Sequence, residues 1–153
     1  MNKDLIELFE DLFDGHPWLD VNIMHSLQRI SYTAAPKKIF SNQNSIWEIV
    51  NHMIAWREMV LERINGKQLV SPENNFFAPI TDTSEKAWRQ TIDNFKLSQQ
   101  KWIHFLKETP KDTFLQVYKP NQMNYFKHIQ GILQHDAYHL GQINILAKYV
   151  LLL

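Results

Sequence analysis
Two imidazoles four residues apart, His135 and His139 in the stretch Gln134-His135-Asp136-Ala137-Tyr138-His139-Leu140-Gly141-Gln142, are the side chains here best suited to chemistry. The stretch reads as helix, where positions i and i+4 sit one above the other on a single face. Neutral imidazoles presented in this way can grip one divalent cation from a rigid support. No cysteine competes for it. The spacing alone is weak: seven histidines in 153 positions give about 0.3 such pairs by chance. A third ligand has to carry the case.

His52 is the candidate. Ser45-Ile46-Trp47-Glu48 is a capping box that opens a helix running to Asn65-Gly66. Within it Ile49, His52, Trp56 and Met59 recur at three-four spacing, so His52 lies in the stripe expected to face the interior. In the last helix Ile132, His135, His139, Gln142, Leu146 and Tyr149 form the matching stripe. A lone inward histidine is ordinarily a core residue bonded to a neighbour. Three of them without nearby carboxylate partners are harder to satisfy singly, and a shared cation solves the desolvation of all three. The other histidines, His16, His25, His104 and His128, read as surface or packing residues.

Other metal patterns fit less well. A zincin needs His-Glu-x-x-His, with the glutamate as general base, and here Asp136 holds that place. Asp136 points about 100° away from His135, which suits a surface residue or a support to a ligand better than a base. Ferritin-like dimetal sites repeat Glu-x-x-His, a pattern this chain lacks. One ion with three nitrogens is the better fit. Gln142 shares the metal-facing stripe and could orient a ligand or a water; a hydrogen bond inside the bundle is the equal alternative. Gly141 reads as a residue permitting close packing. Trp56 and Tyr138 read as core residues, with walling a pocket as the alternative.

The elements that must position these groups are helices. Glycines number only four and strand-like alternation is scarce. A first helix is expected over Asn2–Asp14, stopped by Gly15-His16-Pro17, and a second over Leu19–Ile30 with Val21, Met24, Leu27 and Ile30 on one face. After the helix that carries His52, a long loop spans Lys67–Thr81. Asp82-Thr83-Ser84-Glu85 then caps a helix reaching Glu108, with Trp88, Phe95 and Trp102 in the core and Pro110 as its stop. The last helix is expected over Met123–Val150. Four main helices, one crossover and short links make an all-α bundle, a single domain over residues 1–153.

Lysine plus arginine balance aspartate plus glutamate at 16 each, so nothing electrostatic favours nucleic acid. No apolar run approaches the roughly 18–20 residues that span a bilayer, and the N-terminus lacks a signal-peptide pattern. The absence of cysteine permits a reducing, cytoplasmic setting. The apolar end Val150-Leu151-Leu152-Leu153 is expected to pack on a partner surface.

Asn44-Ser45-Ile46-Trp47-Glu48-Ile49-Val50-Asn51-His52-Met53-Ile54-Ala55-Trp56-Arg57 resembles the first histidine block of the DinB/YfiT-like family, and Ile132 to Ile143 resembles its second, H-x-x-x-H-x-G-Q-I. Gly15-His16-Pro17-Trp18 is similar to the aromatic turn many members carry. The resemblance implies an up-down-down-up four-helix bundle with the crossover after the second main helix. It also implies a divalent metal on His52, His135 and His139, and a homodimeric habit. Members resemble S-transferases using bacillithiol, mycothiol or similar low-molecular-weight thiols, alongside many whose reaction is unknown.

Three neutral ligands leave coordination positions open and keep the ion's full charge. Zinc, nickel and iron all suit imidazole. With no cysteine in the chain, any thiolate must arrive as a cosubstrate. A thiol S-transferase acting on a small molecule is the leading expectation. A metal-dependent hydrolase and a non-catalytic, stress-related bundle with a structural or vestigial metal are the alternatives.

Overall fold
The computed structural model describes residues 2–152. Its helices are α1 (Asn2–Phe13), α2 (Ile23–Gln28), α3 (Ile46–Ile64), α4 (Glu85–Glu108) and α5 (Tyr125–Val150). A 3-10 turn at Lys111–Leu115 and two short strands, β1 (Val117–Tyr118) and β2 (Met123–Asn124), link α4 to α5. The all-α expectation holds. Helix α3 packs against both α4 and α5, α1 lies on α4, and α2 covers part of α5.

Local chemistry explains the boundaries. Ser45 accepts from the Glu48 amide at 3.2 Å while the Glu48 carboxylate accepts from the Ser45 amide at 2.7 Å, completing the capping box that starts α3. Burial alone would raise the Glu48 carboxyl; the Ser45 amide and the Lys38 ammonium, 3.0 Å away, hold it below its ordinary value. Gly66 follows α3 with φ +92°, the left-handed conformation that ends helices. Ser84 caps α4 by accepting from the Ala87 amide.

Two helix starts differ from expectation. The second helix begins at Ile23, not Leu19, because Asp20 is left-handed (φ 59°) and Asn22 caps the His25 amide. The last begins at Tyr125, not Met123. Gln122, with φ 57°, turns the chain so that Met123 and Asn124 pair antiparallel with Tyr118 and Val117. Asn124 then caps α5 by accepting from the Lys127 amide. Trp18 of the aromatic turn is 98% exposed. Val150 is buried in the chain's own core and Leu152 is exposed; Leu153 lies outside the described residues.

The core is split in two. One apolar cluster joins Ile49, Val50 and Met53 of α3 to Phe95 of α4 and to Leu140, Ile143 and Leu146 of α5. The other joins Val60 and Ile64 to Trp102 and Leu106 and to Ile129 and Ile132. Between them, at the middle of all three helices, stand Arg57, Gln99 and Asp136, all buried. Arg57 directs Nε and Nη2 to Asp136 Oδ2 at 2.8 and 2.7 Å, and Nη1 to Gln99 Oε1 at 2.9 Å. Gln99 Nε2 reaches back to the Phe9 carbonyl at 2.9 Å. The guanidinium also lies 5.0 Å from the Phe95 ring centroid and 5.4 Å from that of Phe13.

This layer removes one of the two sequence readings of Asp136, the surface one. The carboxylate is fully buried and ion-paired, not a surface group. It also broadens the packing seam. The expected stripe keeps Ile132, His139 and Leu146 buried, but Ile129, Asp136, Leu140 and Ile143 are buried beside it, so His135 sits on the shoulder of the seam and Tyr149 is exposed.

Candidate metal centre
Helices α3 and α5 bring His52, His135 and His139 together beside the polar layer. His135 Nε2 lies 2.9 Å from His52 Nε2 and 3.1 Å from His139 Nε2. Among the described residues, these three form the one group of His, Asp or Glu side chains placed to hold a metal ion. His52 and His139 are buried, and the His135 side chain is 24% exposed.

The outer nitrogens decide which way the lone pairs face. His52 Nδ1 is 2.6 Å from the Asn75 carbonyl, an acceptor only, so Nδ1 carries the proton and Nε2 is bare. His139 Nδ1 donates likewise to Gln142 Oε1 at 2.6 Å, and Gln142 Nε2 donates on to the Tyr138 hydroxyl at 3.0 Å. His135 Nδ1 faces Asp136 Oδ1 at 3.7 Å, and neither atom has another partner. A carboxylate oxygen cannot donate, so it favours a proton on that Nδ1 as well. The Asp136 carboxylate, bonded to Arg57, thus lies beside His135 without a hydrogen bond to it, and its presence replaces the expectation that the histidines have no carboxylate nearby.

Burial pushes the His52 imidazole down to about 4, against the opposing pull of the Asn75 carbonyl, with His139 and His135 adding to the depression. Burial also lowers His139, followed by the effect of His135 and opposed by Gln142. Converging lone pairs repel unless a proton or a cation lies among them. Nitrogens about 2.05 Å from a tetrahedral zinc stand ~3.3 Å apart. The two separations from His135 fall a few tenths of an ångström short of that, and all three ligand atoms lie within 4.8 Å of one another, a grouping that suits one cation.

The three rings open onto a half-open cavity of about 550 Å³. Phe77 stacks face to face on His52 with centroids 3.9 Å apart. Trp56 lines the wall, its Nε1 tied to Asn75 Oδ1 at 3.0 Å. Tyr138 stands at the mouth, 64% exposed, so the core-packing reading fails for it and the pocket-wall reading holds for both aromatics. Gln142 both lines the cavity and fixes His139. A Cβ added to Gly141 would meet no atom, so close packing does not require glycine there. His16, His25 and His104 are exposed, and His128 is buried beside the Asn121 amide, away from the cluster.

A sequence model of the DinB superfamily matches residues 21–143, a span that includes all three histidines. The chain belongs to the DinB superfamily. No curated protein and no solved structure matches it. In this DinB chain, reading the sequence missed the roles of Asn75, Phe77 and the Arg57–Asp136 pair. Asn74-Asn75 was the available signal for the first two: asparagine tolerates left-handed backbone, and Asn75 (φ 50°) and Phe76 (φ 63°) both adopt it. That bend sets the Asn75 carbonyl on His52.

Proposed function
We propose that this DinB protein is a metal-dependent enzyme whose His52, His135 and His139 hold one divalent ion, and that it transfers a low-molecular-weight thiol to a small electrophile. The convergence of three Nε2 lone pairs on a half-open cavity carries the reading. A metal that served only the fold would be expected in a closed site.

A divalent ion bound there supplies a positive charge that acidifies a thiol and stabilises its anion as a nucleophile. The chain's own residues prepare the rest. Asn75 and Gln142 hold the His52 and His139 rings with Nε2 inward, and the Asp136 carboxylate favours the same orientation of His135 from 3.7 Å. Phe77 and Trp56 exclude water from one side. The Tyr138 oxygen accepts from Gln142, which leaves its hydroxyl proton free to donate at the mouth. In the balanced reaction a sulfur–carbon bond forms, the bond from that carbon to its leaving group breaks, and the thiol proton leaves with that group. Such a protein would work in a reducing compartment, as a homodimer.

Protein purified without a histidine tag should contain close to one equivalent of zinc, nickel or iron, and should accelerate conjugation in a screen of thiols and electrophiles. Stoichiometric metal that survives His135→Ala with His139→Ala would reject the site. Turnover of esters or amides with no thiol added would replace the transferase by a hydrolase.

A further inference from the structure
We infer that the cavity selects a ligand with no charge beyond the atoms that meet the metal: a body of hydroxyls or amides with one apolar face. This deepens the metal-site reading above and rests on it. Charged residues make up 21% of the chain, yet no described residue lining the cavity is Lys, Arg, Asp or Glu. The buried charges of the helices that carry the histidines are paired within the protein, Arg57 with Asp136 and Glu48 with Lys38.

What replaces charge is a set of side-chain amides. Asn42, Gln43 and Asn44 line the cavity just before α3, and among the described residues their side chains have no hydrogen-bond partner. Each offers a donor and an acceptor together, the complement of a hydroxyl or an amide. Phe77, Trp56, Ile145 and Leu146 add apolar surface to the same lining. A carboxylate carried on the ligand's body would shed water against these walls and find no guanidinium or ammonium to repay it. The ion attracts whatever group reaches it first. It offers far less to a second anion held further out, where solvent enters and screens.

The test uses the full chain loaded with cobalt(II), whose visible absorption reports ligand exchange independently of turnover. Two pairs of probes are titrated. The first sets 1-thioglycerol and 1-thioglucose, which have uncharged bodies, against mercaptosuccinate. The second sets acetohydroxamate against malonomonohydroxamate, which adds one carboxylate. The uncharged body should bind at least tenfold more tightly in each pair. Gln43→Lys, on the exposed rim, should strengthen binding of the carboxylate-bearing member at least fivefold. Equal or tighter binding of the carboxylate-bearing member in both pairs overturns the inference. Hydroxamates that separate as expected while no thiol moves the cobalt bands support it and reject the thiol reading. Failure to bind cobalt at all overturns both.

Discussion
Two polar assemblies share one level of the bundle, and they are built on opposite terms. In the Arg57–Asp136–Gln99 layer, opposite charges meet at hydrogen-bond distance, and the amide passes the chain on to the Phe9 carbonyl. In the histidine cluster a few ångströms away, like groups face one another with their lone pairs inward. The first arrangement is self-sufficient. The second is incomplete without something positive. The two meet at a single carboxylate, whose Oδ2 serves Arg57 and whose Oδ1 faces His135. A paired buried charge thus stands 3.7 Å from a candidate ligand and favours a proton on its outer nitrogen.

Breaking the incomplete assembly should have the largest effect on metal. His135→Ala with His139→Ala removes two of three ligands and should cost at least a thousandfold in affinity, on the order of 4 kcal/mol, read by competition with a chromophoric chelator. Metal-free thermal stability should barely fall, since the lost rings repel one another. A large loss of stability in the chelated protein would show that the cluster is itself a structural element.

Breaking the complete assembly should do the reverse. Arg57→Ala strands a buried carboxylate and should cost about 3–5 kcal/mol in chemical denaturation. Arg57→Met with Asp136→Leu removes both charges and should restore most of that stability, while metal affinity stays down by roughly 10- to 100-fold. Full affinity in the double variant would sever the link between the two assemblies.

Acid should separate them more gently. His52 titrates at about 4 in the native protein and near 6.5 when unfolded. Between those values the unfolded chain binds the extra proton, so metal-free stability falls as pH drops from 6.5 towards 4. Burial pushes His139 and His128 the same way. The melting temperature of chelated protein should decline over this window, and less steeply in His52→Phe. Equal slopes in the two proteins would remove His52 as a cause. Smallest of all, Gly141→Ala, outside both assemblies, should stabilise α5 by about 0.5–1 kcal/mol and leave metal affinity unchanged.

Periodicity and capping made the helices legible, because Ser45, Ser84 and Pro110 act on their own neighbours. The grouping of His52 with His135 and His139 was legible too, since facing needs only a helical period. What escaped depends on pairing across elements. Asp136 looked superficial because a single carboxylate has no pattern; only Arg57, 79 positions away, makes it a core residue. For the same reason the buried face of α5 is broader than the expected stripe, taking in Asp136 and the apolar residues beside it. The short ribbon before α5 escaped because two residues per strand carry no alternation.

The Asn75 carbonyl has a consequence for how this site tolerates change. It holds His52 through a main-chain atom, which no substitution at position 75 can delete. Replacing the side chain removes the bond to Trp56 and makes the left-handed bend harder to hold, but the acceptor itself survives wherever the chain keeps its path. The loop after α3 can therefore drift in sequence while His52 keeps its tautomer. Insertions or deletions between α3 and residue 75, which change the path, are the lesions to which this ligand is most exposed.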